Sequence, residues 1–343
     1  MTLDAKEAAL WESIGSDRAQ CHLCAHHCII APGGRGICQV RENRDGTLFT
    51  LVYGQVIARH VDPIEKKPLF HFYPGSKVYS VATPGCNFRC DWCQNWDISQ
   101  MPRDQHRIVG EEVLPEEIVE AAHETFCRSI AYTYTEPTIF FEYNYDIALL
   151  ARDAGLANLY VTNGFMTPMM LEAIHPFLDA ANVDLKAFRD ETYRRFVGAR
   201  LQPVLDSLKL MKQMGVWVEV TTLIIPGLND GPQELQDIAQ FIALELGAET
   251  PWHVSRFFPA HKMRDVPPTP EPTLMQAMKI GKTAGLHYVY AGNTTDAGTT
   301  VCHLCGEPLV QRVGYAIQAN HVTPDGRCPQ CGAVVAGVGM ASV

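Results

Sequence analysis

The sequence predicts an α/β protein: an incomplete (β/α)6-type TIM barrel, with a small cysteine-rich metal-binding module at its N-terminal end and another at its C-terminal end. Two observations carry this. From Lys77 onward, β-rich apolar runs alternate with helix-like stretches, and that alternation implies parallel βα units. Eleven of the twelve cysteines fall in three tight clusters, two of them outside the alternating region. The expected boundaries are residues 1–49 for the head, 50–293 for the barrel and 294–343 for the tail.

Taken in order, "MTLDAKEAALWESIG" reads as an amphipathic helix with acidic positions. "LFTLVYGQVIARHVDP" reads as a short hairpin or pair of strands, and "IEKKPLFHFYPGS" as a Pro-punctuated loop. The barrel strands are expected in "KVYSVATP", "SIAYTYTEP", "NLYVTNG", "ANVDLKAF", "VWVEVTTLIIPG", "PWHVSRFFP" and "LHYVYAGN". Between them, "PQELQDIAQFIALELG" puts Leu235, Ile238, Ile242 and Leu246 on one helix face, with Pro232 in the first turn and Gly247 at the end. Six or seven such units are too few for a closed eight-unit barrel and too regular for separate domains. A doubly wound open sheet is the alternative. The Gly- and Cys-rich tail is too small to fold without a staple.

Composition narrows the function. Of 343 residues, 47% are hydrophobic and 19% charged, which is ordinary for a globular protein. The net charge of −10 gives no general attraction to nucleic acid or to anionic lipid, so neither is an expected partner. No apolar run reaches the roughly 18 residues that span a bilayer. The start lacks the basic residues and apolar core of a signal peptide, and the expected location is the cytoplasm. A reducing cytoplasm disfavours disulfides, so clustered thiols read as metal ligands. Cys127 stands apart from the clusters and is expected to pack as a small apolar residue in a helix.

The three clusters differ in what they leave open. In the tail, Cys302-x2-Cys305, 22 residues, then Cys328-x2-Cys331 is a zinc-ribbon pattern with a glycine after the second cysteine of each pair. Four thiolates close a tetrahedral shell, so the site is structural, holding zinc or rubredoxin-type iron. The head offers Cys21-x2-Cys24-x3-Cys28-x9-Cys38, with His22, His26 and His27 close by and a Gly-rich turn, "APGGRGIC", before Cys38. Zinc in a docking module and a second, redox-active iron–sulfur cluster both fit. The middle cluster, "CNFRCDWCQNW", has only Cys86, Cys90 and Cys93. It leaves the C-terminal end of the first barrel strand, the face on which barrel enzymes carry their sites. A [4Fe–4S] cluster takes four thiolates when complete, so three would leave one iron open.

Cys-x3-Cys-x2-Cys, with Trp92 before the last cysteine, resembles the signature of the radical SAM superfamily. The resemblance implies that these cysteines hold [4Fe–4S] and that S-adenosylmethionine (SAM) binds the open iron through its amino and carboxylate groups. Further stretches over residues 50–293 carry the same resemblance. Glu136 in "YTEPT" stands where the superfamily has a Gly-Gly-Glu motif for the methionyl ammonium, with Tyr134 and Thr135 in place of the glycines; an N-cap is the alternative role for Glu136. Asn163 in "VTNG" is a candidate partner for ribose or carboxylate. Asp184 and Lys186 in "VDLKAF" alternate onto one strand face, as a pair beside the SAM carboxylate or as a simple ion pair. His253 is a candidate contact to adenosine, Arg256 to an anionic substrate group, and Tyr290 and Asn293 to adenine.

The chain also resembles glycyl-radical-enzyme activases such as pyruvate formate-lyase activating enzyme, although Val161 replaces an Asp that helps those enzymes bind a monovalent cation. "IEKKPLFHFYPGS", "YTYTEPTIFFEY", "HVSRFFPAHKM" and the head motif together look like the AmmeMemoRadiSam-system radical SAM enzymes, which implies AMMECR1-like and Memo-like proteins as partners. The function expected is reductive cleavage of SAM to a 5′-deoxyadenosyl radical and hydrogen abstraction from a small-molecule or protein substrate. A flavodoxin or ferredoxin would supply the electron. A glycyl-radical activase is the alternative within that chemistry, and a non-catalytic iron–sulfur electron-transfer or scaffold protein is the alternative outside it.

Overall fold

The computed structural model describes residues 5–294 and 298–341. Its centre is an eight-stranded sheet. The strands are β1 (Ala58–Pro63), β2 (Lys77–Ala82), β3 (Ser129–Tyr132), β4 (Ala157–Thr162), β5 (Ala180–Asp184), β6 (Trp217–Ile224), β7 (Trp252–Arg256) and β8 (Val289–Gly292). They lie side by side in chain order. β2 to β8 are all parallel, while β1 pairs antiparallel with β2, from Ala58 opposite Ala82 to Pro63 opposite Lys77. A doubly wound sheet reverses its strand order partway, so this unbroken order rules out that alternative. Each strand from β2 to β7 is followed by a helix: α1 (Pro115–Glu124), α2 (Phe141–Asp153), α3 (Pro168–Ile174), α4 (Gln202–Gln213), α5 (Pro232–Phe241) and α6 (Glu271–Thr283). Among the described residues that makes six βα units and one further parallel strand, a barrel left open between β1 and β8.

The reasons are local. The strands are rich in Val, Ile, Tyr and Ala and are buried along most of their length, as parallel strands covered on both faces must be. Five of the six helices have proline in the first turn, where the missing N–H is not needed; α2 has none, and the short turn before it, Pro137–Phe140, starts with one instead. Gly155 and Gly215 follow α2 and α4 with φ of +74° and +82°, the left-handed conformation that ends a helix without a Cβ clash. α5 buries Leu235 and Ile238, and Ile242 and Leu246 continue that face into the core. Each such side chain removed from water contributes about 1.5–3 kcal/mol.

Three expectations need correction. The opening stretch is not a helix. Residues 1–4 lie outside the described residues, and the rest forms two short strands: Lys6–Glu7 pairs with Phe49 and Thr50, and Trp11–Ser13 pairs with Ala19–Cys21. Leu10, Gly15, Ser16 and Asp17 all have φ above +50°, which an α-helix cannot accommodate. A helix this short is marginal on its own, and pairing with the head's other strands prevails. Second, the stretch after residue 46 gives the pair of strands and not the hairpin, since its strands do not pair with each other. Thr47–Thr50 turns back on Arg41–Arg44 through Asp45 and Gly46, whereas Ala58–Pro63 joins the barrel sheet. Third, Cys127 lies beyond the end of α1, not within a helix, although it packs in the core as expected.

The tail builds a three-stranded antiparallel sheet, in which β9 (Pro308–Val313) and β10 (Ala316–Asn320) form a hairpin. It packs against residues 70–72 and against Tyr290 of β8. Phe72 and Val338 form a parallel bridge, His71 Nδ1 donates to Ala336 O (2.6 Å), and His71 Nε2 meets the Tyr290 hydroxyl (2.7 Å). The buried Arg312 guanidinium donates to Phe70 O and to Thr300 Oγ1, both at 2.8 Å. No helix among the described residues is long and apolar enough to cross a membrane.

Candidate active site

Cys86, Cys90 and Cys93 lie on the loop after β2, at the C-terminal end of the parallel strands. The loop is tied down on several sides. Arg89 N donates to Val197 O (2.9 Å) and Asp91 N to Phe196 O (3.0 Å), and Cys93 N donates to Cys90 O (3.1 Å) in a tight turn. Phe88 N points at the Cys86 sulfur (3.3 Å), and the Cys93 sulfur meets Ser99 Oγ at 3.3 Å. Trp92 is buried beneath the loop.

The three cysteines open into a cleft of about 540 Å³. That is within the usual range for a small-molecule site. The ends of β3 to β8 all contribute to it. Glu136, Asn163, Asp184, Lys186 and Asn293 line it together with Cys86, Cys90, Cys93 and Trp92. The carboxylate of Glu136 is fully buried. Its Oε1 accepts from Thr138 N (3.0 Å), Thr138 Oγ1 (2.6 Å) and Thr162 Oγ1 (2.7 Å), and its Oε2 accepts from Asn163 N (2.8 Å). It is therefore the N-cap of the short turn that follows, and still faces the cleft. A carboxylate has about four lone-pair sites, so Oε1 is saturated and Oε2 keeps capacity for one more donor. Burial raises the pKa of Glu136 above its ordinary value, and the donors from Asn163, Thr138 and Thr162 oppose that.

Lys186 Nζ sits 2.7 Å from Asp184 Oδ2. Burial would lower the lysine's pKa, but the Asp184 charge and the Cys90 thiol hold it well above the ordinary value. Asn163 Nδ2 donates to Asn87 Oδ1 (2.7 Å), which ties β4 to the cysteine loop. Asn293, with φ of +57°, donates to Arg256 O (3.0 Å). Three expected residues lie apart. His253 lines an adjoining cavity with Ser255 and Asn293, where its Nε2 meets Glu219 Oε2 at 2.7 Å between the rings of Phe70 and Tyr290. Arg256 is bound to Thr269 O (2.9 Å), and Tyr290 is buried between His71 and Thr300.

Several further cleft residues were not among the expected site residues. Asp62 holds Lys66 (2.8 Å) and Lys67 (2.7 Å), and both lysines line the cleft. Tyr134 occupies a left-handed conformation, φ +62°, where glycine would be unstrained. Its hydroxyl donates to Asp62, and its ring lies 4.4 Å from Lys67 Nζ. Tyr315, on the turn between β9 and β10, reaches the cleft from the tail.

The flanking clusters also come together. In the tail, Cys302 and Cys331 sulfurs are 3.6 Å apart, as are those of Cys305 and Cys328. All four sulfurs lie within 4.8 Å of one another. A single ion with metal–sulfur bonds of about 2.3 Å suits that spacing. Gly306 and Gly332, with φ of +79° and +75°, turn the backbone after each pair as the motif requires. In the head, Cys21, Cys24, Cys28 and Cys38 line one small cavity.

Residues 80–242 match the model of the radical SAM superfamily. An uncharacterized protein of Methanocaldococcus jannaschii is 46% identical over 332 residues, covering 95% of this chain and 98% of the relative. The pyruvate formate-lyase-activating enzyme of Clostridium pasteurianum is 26% identical over 175 residues, 49% of this chain and 70% of that one. Among solved structures, a radical SAM methyltransferase from Sphaerobacter thermophilus aligns with a TM-score of 0.50 at 14% identity, over 69% of this chain and 71% of that chain, a likeness of fold alone. With three cysteines at the mouth of a partial barrel and this match across its strands, the chain belongs to the radical SAM superfamily of enzymes.

Proposed function

We propose that Cys86, Cys90 and Cys93 hold a [4Fe–4S] cluster and that SAM binds beside it in the cleft. One observation carries the reading. Three cysteines with no fourth thiol in their motif open on the same cleft as Glu136, Asn163, Asp184 and Lys186. The donor set fits: three soft thiolates, spaced more widely than the tail's four, suit a multi-iron unit with one iron left to a ligand. When bound, the pair would supply a 5′-deoxyadenosyl radical by one-electron cleavage of the SAM sulfonium C–S bond, with methionine as the other product.

The chain's own residues would orient the ligand. The remaining lone pair of Glu136 Oε2 would accept from the methionyl ammonium, and Lys186, held by Asp184, would face the carboxylate. Asn163 would reach the ribose or the carboxylate. Asn293 would approach the adenine, with His253 holding the floor of the adjoining cavity through Glu219. The substrate would enter from the side of Lys66, Lys67 and Tyr315. It would lose a hydrogen atom to the radical, leaving 5′-deoxyadenosine. Trp92, Tyr134 and Phe88 would exclude water from that exchange.

A flavodoxin or ferredoxin would supply the electron, and the tail would hold zinc or rubredoxin-type iron. The substrate is a small molecule or a protein, an AMMECR1-like or Memo-like protein among the candidates. The similarity to a pyruvate formate-lyase-activating enzyme supports a second reading, in which a partner's glycine is oxidised. The test is anaerobic reconstitution with iron, sulfide and dithionite. 5′-Deoxyadenosine should form from SAM, and Cys90→Ala should abolish it. Equal release by that variant would overturn the proposal. A glycyl radical signal on a co-expressed partner would select the activase reading.

A further inference from the structure

We infer that the head holds a second iron–sulfur cluster, on Cys21, Cys24, Cys28 and Cys38, and that it passes one electron to the metal centre of Cys86, Cys90 and Cys93. The relay half rests on the proposed function; the head cluster itself does not.

The four thiols converge from separate segments. Cys21 ends the strand Ala19–Cys21, and its N–H donates to Cys28 O (2.9 Å). Ile37 N donates to the Cys28 sulfur (3.5 Å), just before Cys38. All four then border one small cavity. Two of the nearby histidines are engaged elsewhere: His22 Nε2 pairs with Glu12 (3.0 Å), and His26 Nε2 bonds Asn87 O (2.9 Å). His27 does not border that cavity, which leaves a four-thiolate donor set, the set an iron–sulfur cluster takes.

Spacing separates the candidates. A single tetrahedral ion draws its sulfurs together, as in the tail. Among the described residues, the head sulfurs do not close within the 4.8 Å that the tail's four satisfy, and neither do those of Cys86, Cys90 and Cys93. A cube of irons and sulfides holds its thiolates farther apart. The surroundings suit the same unit. Arg41 is buried, and its Nη1 donates to the Cys21 sulfur at 3.0 Å. Its Nε is buried with no hydrogen-bond partner among the described residues. The same guanidinium is paired with the buried Glu142 carboxylate, so what it offers the sulfur is a hydrogen bond, and hydrogen bonds at a ligating sulfur tune an anionic cluster.

The head is also pressed against the other cysteine loop. His26 bonds the carbonyl of Asn87, the residue after Cys86. Cys24 forms a bridge with Met166, three residues from Asn163. A Cβ on Gly85 would lie 3.6 Å from Cys38 O and only 2.8 Å from Val40. In the relay, a reduced flavodoxin or ferredoxin gives one electron to the head cluster. That electron then moves to the centre at Cys86, Cys90 and Cys93, and the head returns to its oxidised state.

The experiment uses the full chain, reconstituted anaerobically, with a triple Cys86→Ala, Cys90→Ala, Cys93→Ala variant. That variant leaves the head intact, so a folding failure in the head does not confuse the result. It should retain about four irons per chain in a cluster visible by Mössbauer spectroscopy and by EPR after dithionite. Adding Cys24→Ser and Cys38→Ser should remove them. A triple variant holding zinc alone, or one tetrahedral iron, overturns the head cluster. For the relay, Cys24→Ser in the otherwise native chain should slow reduction by flavodoxin tenfold or more, followed at the remaining cluster's EPR signal. An unchanged rate overturns the relay. If the proposed function fails instead, the triple variant carries the same iron as the native chain.

Discussion

The ammonium of Lys186 lies 2.7 Å from Asp184 Oδ2, with one residue between them at the end of β5. Leu185, that intervening residue, is fully buried, while the pair faces the cleft. The lysine is 17% exposed and the aspartate 32%. A pair this shielded is sensitive to losing one member, since the survivor keeps its charge at a partly dry site. Lys186→Met should weaken SAM binding about tenfold or more, and Asp184→Asn should weaken it less, because the lysine stays in place. The double variant tests whether they act as a unit: a coupling of about 1–2 kcal/mol is expected in SAM affinity. Strictly additive losses would show the two act separately.

Glu136 meets four donors from Thr138, Thr162 and Asn163. Glu136→Gln keeps the shape but replaces one acceptor oxygen with an NH2 donor. Wherever that NH2 falls, it opposes an N–H or O–H. The expected cost is about 1–3 kcal/mol of stability in urea denaturation, as for a buried polar group left unpaired. Loss of SAM binding by tenfold or more should accompany it. A variant with unchanged affinity would leave Glu136 as an N-cap alone.

The barrel was legible because its signal is repetitive. Seven runs, from "KVYSVATP" to "LHYVYAGN", each hold one of the parallel strands, and burial on both faces leaves β-branched and aromatic residues that composition alone identifies. Asp184 and Lys186 were legible because a period of two sends alternate residues to one face. The head was not. Its short strands, such as Lys6–Glu7, are fixed by pairing with Phe49 and Thr50, more than forty residues away, which no local pattern encodes. Lys66 and Lys67 fell in a stretch read as a Pro-punctuated loop, and their place in the cleft depends on Asp62 in the neighbouring strand. Tyr315 escaped notice because it comes from the tail and reaches the cleft only through the tail's packing on the barrel. His253 was read alone, without Glu219 beside it.

A metal ion on the tail's four cysteines would hold Tyr315 in place. The tail core is small, with Leu309, Val310, Val322, Val335 and Met340 buried around the cysteines. A module of that size needs its staple. Cys305→Ser with Cys331→Ser should abolish metal binding in the tail and lower the melting temperature by roughly 10 °C, a loss of several kcal/mol for a structural ion. Hydrogen exchange should rise across residues 298–341 and at the Phe72 and Val338 bridge, and stay unchanged in β3 to β5. Protection that survives in the tail would mean that docking on the barrel suffices without metal.

His71 joins the tail to the barrel, and its burial makes that joint sensitive to acid. The ring is fully buried, bonded to Ala336 O and the Tyr290 hydroxyl. Burial lowers its pKa to about 4, helped by the Arg312 and His253 charges, while Glu219 pulls the other way. An unfolded histidine titrates near 6.5. The folded pKa is therefore the lower one, and the unfolded chain binds the proton first. This stability is fully present above about pH 6.5 and is lost as pH falls toward 4. The full loss is about 3 kcal/mol, of which about 1 kcal/mol falls between pH 7 and pH 5.5. His71→Gln keeps a hydrogen-bonding side chain but cannot titrate. It should be less stable than the native chain at pH 7 by about 1–2 kcal/mol, from imperfect bonding. The gap should then narrow by about 1 kcal/mol at pH 5.5. Urea denaturation of the metal-loaded chains at the two pH values measures both numbers. A gap of constant size would show that the acid sensitivity of this joint comes from other groups.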